Sequence, residues 1–219
     1  MKRGPLLMRM FEAMSGALGP SGWWPAKTPF ETAVGAVLAQ NTNWGNAAKA
    51  MGNIERAGVM DCAALLALTP EALAELIRPA GYFRLKAARL RALLEFVDAA
   101  CGGDPAALAA WPLETARERL LTVRGVGPET ADSILLYAAG LPSFVIDAYT
   151  RRILSRHGLA PADAPYDELR DFFMDALPPD APLYNEMHAL IVRVGSAYCK
   201  TKSPACRECP LETFGDIHL

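Results

Sequence analysis

The chain has 219 residues, 52% of them apolar and 21% charged, which supplies a substantial core and argues against wholesale disorder. Lys and Arg total 22 against 24 Asp and Glu, a formal charge of −2, so the broad basic excess common in nucleic-acid binders is missing, although a local basic face is compatible with this balance. No apolar run approaches the ~18–20 residues that span a bilayer.

In chain order, "MKRGPLLMRMFEAMSG" has the charged start of a signal peptide, but Arg9 and Glu12 interrupt its apolar stretch and it reads as an amphipathic helix. The expected location is therefore cytoplasmic, with reduced thiols and no structural disulfides. Strand signals are scarce. The segments 30–40, 46–54, 62–69, 70–79 and 84–100 all repeat apolar residues every three or four positions, as helices do. Thr69-Pro70-Glu71 supplies a capping residue before a proline at the first helical position. "CGGDPAALAAWP" is the best candidate for an exposed connection. Further helices are predicted over 110–123, 127–140 and 146–158, the last stopped by Gly158, and over 164–177 and 183–199. The fold class is all-α, with about ten helices and short connections.

Between two of these helices lies "VRGVGPET", residues 123–130. Two glycines one residue apart permit positive φ and let a ligand approach the backbone without Cβ obstruction. The next helix begins near Pro128, so its free N–H groups and positive dipole end face the same turn. Together these make a phosphate site. A turn between packed helices explains G-V-G equally well when it is taken alone.

The wider string decides between these readings. L-x-x-V-x-G-V-G-x-x-T-A-D, followed by a helix and "VID", resembles the helix-hairpin-helix and trailing aspartate of the endonuclease III superfamily of DNA glycosylases. "IRPAGYFRLKAARL" resembles the preceding I-x-x-x-G-(Y/F)-x-x-K-A helix, and "AVLAQNTNW" the L-x-x-Q-x-T segment. These matches follow the family's order over most of the chain. The resemblance implies a two-lobed fold, with residues 30–142 as a central helical lobe carrying the hairpin. Residues 1–29 and 143–219 would pair as the second lobe, which would carry the cysteine-rich loop. The substrate cleft would lie between the lobes, with Asp147 at its floor.

The resemblance further implies a partner, double-stranded DNA containing a damaged base, bound by a monomer with no membrane association. Gln40 matches the residue that fills the space left by the extruded nucleotide; a polar helix end is the bland alternative. Val123, Gly125, Val126, Gly127 and Thr130 would contact the DNA backbone through the hairpin. Asp147 matches the catalytic aspartate, eighteen residues beyond Glu129. A carboxylate there stabilises the positive charge that develops on the sugar or activates water. It also reads as an N-cap, and the two roles are compatible.

Bifunctional members of the family place a lysine where this chain has Glu129. Glutamate has no amine to form a Schiff base, so the expected enzyme is monofunctional; first-turn dipole stabilisation is the alternative role for Glu129. "SGWWPAKTPFE" and "QNTNW" resemble the W-W-P and Q-N-T-x-aromatic segments of the 3-methyladenine DNA glycosylases of endonuclease III type. Trp24, Pro25, Trp44 and Glu129 are accordingly assigned to the base pocket, with Trp23 structural. Electron-rich indole faces suit a cationic alkylated purine.

Cys199, Cys206 and Cys209 match the first three ligands of the family's [4Fe–4S] loop, beside Lys200, Lys202 and Arg207. The fourth cysteine would fall six residues after Cys209, where the chain has Gly215. Asp216 and His218 are nearby substitute donors; zinc, or a loop without metal, are the alternatives. Cys62 and Cys101 read as buried packing residues, and His157 and His188 as ordinary polar helix positions. Rival functions are excision of a mismatched or deaminated base, a non-catalytic DNA-damage-binding protein, and a redox protein. The presence of Asp147 with the tryptophan pair weighs against the second, and the missing cysteine against the third.

Overall fold

The computed structural model describes residues 3–23 and 26–214. Trp24 and Pro25 of the expected base pocket, and Gly215, Asp216 and His218 beside the cysteine loop, lie outside the described residues. The described residues form α1 (Arg3–Leu18), α2 (Pro29–Leu38), α3 (Trp44–Arg56), α4 (Cys62–Ala67), α5 (Pro70–Leu76), α6 (Phe83–Cys101), α7 (Leu113–Leu121), α8 (Pro128–Ser133), α9 (Ala148–Arg156), α10 (Tyr166–Met174) and α11 (Ala181–Ala197), with no strand among them. The architecture is all-α.

The helices start where short polar side chains can take up free N–H groups. Thr28, Asn43, Asp61, Thr69, Asp147 and Asp180 each cap the helix that follows, accepting from the backbone three residues on. Gly158 ends α9 at φ +64°. The connection over 101–112 is largely exposed, as expected, but it is not irregular: Pro105–Ala110 forms a 3₁₀ helix that turns Pro105 and Leu108 into the core. The segment 127–140 is not one regular helix either. After α8 it widens into a π turn over Ile134–Ala138, a geometry that apolar spacing does not announce.

Two compact units emerge, one of Ala26–Leu141 and one of Met1–Pro25 with Pro142–Leu219. The first holds α2–α8 around a core that includes Val34, Val37, Leu38, Ile54, Leu73, Leu90, Leu120, Ile134 and Leu135. A buried ion pair joins two of its helices: Arg117 of α7 donates through Nε to Asp132 of α8 at 2.9 Å. In the second unit α1 buries Leu7, Met10 and Met14. Its C-terminal carbonyls, Leu18 and Gly19, accept from Arg193 of α11. Phe144 stacks on Phe173, ring centroids 3.8 Å apart.

Candidate active site and cysteine loop

The hairpin turn between α7 and α8 uses its two glycines differently. Gly125 has φ +88°, and a Cβ there would clash with the side-chain stem of Arg89. Gly127 has φ −96°, reachable by any residue, and a Cβ there would meet nothing within 4 Å. Positive φ is therefore required at Gly125 alone, while Gly127 leaves open space over the start of α8. Val123 and Val126 are buried, so only their backbone can face a ligand. Glu129 is exposed in the first turn of α8.

Gln40 is tied to this turn. Its Nε2 donates to the Gly125 carbonyl (3.0 Å) and to Thr130 Oγ1 (2.9 Å), and its Oε1 accepts from Arg89 (2.6 Å). Thr130 is buried, its hydroxyl turned to Gln40. Lys86, one helical turn before Arg89 and only 2% exposed, donates to the carbonyls of Leu38 (2.8 Å) and Ala80 (2.7 Å). Burial, and then the Arg89 charge, pull its pKa below 10.5. Helix α6 thus grips both the end of α2 and the turn carrying Gln40. Trp44, the first residue of α3, packs half-buried against the core of the same unit.

One residue escaped the sequence reading. Tyr82, before α6, is 75% exposed and left-handed at φ +44°, unusual for a bulky residue. The Gly-Tyr pair in "IRPAGYF" was its signal.

Asp147 sits at the end of a buried segment. Ser143, Phe144, Val145 and Ile146 are each at most 2% exposed. Arg170 donates to the Ser143 hydroxyl and Ile146 N–H to the Tyr166 hydroxyl. The Asp147 side chain caps α9: Oδ1 accepts from Thr150 N (2.7 Å) and Thr150 Oγ1 (2.8 Å). Oδ2 faces Nε2 of His188 at 3.7 Å. His188 corrects its sequence reading, being a buried residue of α11; burial lowers its pKa below 6.5, with Asp147 pulling the other way. His157 is corrected too. It is 6% exposed, with Nδ1 bonded to the Phe214 carbonyl.

Cys199, Cys206 and Cys209 line one hollow with Arg156, His157 and Glu212. Arg156 donates to Cys199 Sγ (3.4 Å) and Leu211 N–H to Cys209 Sγ (3.5 Å), the kind of contact that stabilises thiolates. Burial pushes the Cys209 thiol up, the neighbouring Cys199 and Cys206 adding to it. Among the described residues no three His, Cys, Asp or Glu side chains group closely enough to hold one metal ion. The chain has no cysteine after Cys209 to complete a set of four.

Residues 34–179 match the family of HhH-GPD superfamily base excision DNA repair proteins. A protein of Methanocaldococcus jannaschii named "Putative DNA repair glycosylase" is 40% identical over 211 residues, 95% of each chain. Endonuclease III of Thermotoga maritima is 28% identical over 190 residues, 87% of this chain and 84% of its own. Among solved structures, the H. pylori 3-methyladenine DNA glycosylase bound to 1,N6-ethenoadenine superimposes with a TM-score of 0.75 at 26% identity, covering 90% of this chain and 98% of that one. An endonuclease III–DNA covalent intermediate gives 0.81 at 23% identity over 96% and 94%, a likeness of fold.

Proposed function

The chain belongs to the HhH-GPD superfamily of base excision repair DNA glycosylases, and we propose that it is a monofunctional member that hydrolyses the N-glycosidic bond of an alkylated purine such as 3-methyladenine. The observation that carries the chemistry is the Asp147 carboxylate, fixed through Oδ1 by two bonds from Thr150 at the end of a buried segment. A carboxylate so held needs no reorganisation as the base departs and charge develops on the sugar. Its second oxygen is left to face that charge or to draw a proton from attacking water. The target nucleotide has to be extruded from the duplex first.

The remaining residues take parts around this step. The backbone over residues 123–130 receives phosphate, with open space at Gly127 for the approach. Gln40 fills the gap left in the duplex, and the exposed ring of Tyr82 offers a face on which a base can stack. From the sequence match, Trp24, Pro25, Trp44 and Glu129 are the residues assigned to the flipped base. The 26% identity to a 3-methyladenine glycosylase supports this substrate class. Glu129 supports the absence of strand cleavage, having no amine for an imine. Cys199, Cys206 and Cys209 would hold a [4Fe–4S] cluster, which when bound cross-links the loop to the end of α11. Iron content and visible absorption of the purified protein check this assignment.

The deciding experiment compares base release from methylated, mismatched and uracil-containing duplexes. Release of 3-methyladenine, an intact strand with an abasic site, and no borohydride-trapped adduct are expected. Release from mismatched duplexes alone overturns the substrate class, and a trapped adduct overturns the monofunctional reading.

A further inference from the structure

We infer that His188 is a positioning residue for Asp147, held in place by the packing of α11 along α9. The inference rests on the catalytic reading of Asp147 and goes beyond it. Oδ1 of Asp147 is committed to Thr150, so the orientation and surroundings of Oδ2 decide what the carboxylate can do. His188 Nε2 stands 3.7 Å from Oδ2, longer than a hydrogen bond and short enough for the imidazole to set that oxygen's field. Phe144, three residues before Asp147, meets the imidazole edge-on with centroids 6.5 Å apart. The ring is therefore fixed by the same segment that delivers the aspartate.

Helix α11 sets this distance. Seven residues after His188, on the same helical face, stands Gly195. A Cβ at Gly195 would lie 2.5 Å from the Tyr149 ring, so the glycine permits close approach of α9. Arg152 of α9 donates to the Gly195 carbonyl (3.1 Å) and to the Cys199 carbonyl (2.7 Å), and Arg156 to the Lys200 carbonyl (2.7 Å). Helix α9 is thereby fastened to the last turn of α11 and the residues just after it, and the His188–Asp147 separation follows from the packing of these two helices. A buried imidazole that stays neutral leaves the full negative charge on the carboxylate, which is what a positively charged sugar requires.

The test uses the full chain and methylated duplex DNA under single-turnover conditions. His188→Phe, which keeps the ring packing and loses the polar nitrogen, is expected to slow 3-methyladenine release about 100-fold, the cost of misplacing a catalytic group. Its affinity for a duplex carrying a reduced abasic site should stay within about twofold of wild type, and His188→Asn should recover part of the rate. A fully active His188→Phe protein beside an inactive Asp147→Asn protein overturns the inference and leaves the catalytic reading intact. A fully active Asp147→Asn protein overturns both. A second measurement needs no substrate. NMR of the His188 imidazole should show its midpoint lower in Asp147→Asn than in wild type, because the carboxylate is the group that raises it. Asparagine is itself a good N-cap, so that variant keeps α9. An unchanged midpoint overturns the inference.

Discussion

At the scale of single residues, side chains with roles assigned from sequence prove to be structural fasteners as well. Gln40 holds the hairpin turn through Gly125 and Thr130 while Arg89 holds Gln40. Gly125 is where this arrangement is least tolerant. Its φ of +88° suits glycine, and the stem of Arg89 fills the space a Cβ would take. Gly125→Ala should destabilise the protein by about 1–3 kcal/mol and weaken DNA binding, read by thermal denaturation and by titration with duplex. Gly127→Ala should leave the melting temperature nearly unchanged, since its φ is ordinary and nothing lies in the way. Equal effects at the two glycines would contradict this division of labour. The sequence showed that a glycine turn was there, but not which glycine was strained, because Arg89 is 36 positions away (125 − 89). His188 was illegible for a similar reason, its partner lying 41 positions upstream (188 − 147).

At the scale of elements, apolar periodicity and capping residues mark the helices well, since both act within a few residues of chain. Thr69 and Gly158 do what their types suggest. The 3₁₀ helix at Pro105–Ala110 was hidden because Gly102, Gly103, Asp104 and Pro105 read as punctuation, while the burial of Leu108 depends on helices distant in sequence. The packing of α9 on α11 is equally tertiary, and it is testable at Gly195. Gly195→Ala should cost about 1–3 kcal/mol by overpacking against Tyr149. Combining it with Tyr149→Ala should recover part of the loss, a non-additivity that two touching residues show and distant ones do not. Denaturant melts of the two single variants and the double variant supply the cycle. Strict additivity would mean that the helices are held apart by something other than this contact.

At the scale of the whole molecule, the two units differ in how the chain builds them. Ala26–Leu141 is one continuous stretch, and α2–α8 supply its core from within. The other unit is assembled from both ends of the chain. Periodicity could not reveal this pairing, because no local pattern tells a terminal helix where it docks. Leu7, Met10 and Met14 of α1 share an apolar hollow with Ile153, Leu154, Phe173, Met187 and Ile191. Removing α1 would expose those surfaces to water at roughly 25 cal/mol per Å² of apolar area. It would also strip Arg193 of the carbonyls of Leu18 and Gly19. A fragment of residues 26–141 should therefore fold alone, with a helical spectrum and a cooperative melt. A fragment of residues 142–219 should not, although it carries Asp147, His188 and all three loop cysteines. Circular dichroism of the two purified fragments distinguishes the outcomes. A cooperative melt from residues 142–219 would show that α10 and α11 suffice to hold the Asp147 helix, and that α1 only covers a core which stands without it.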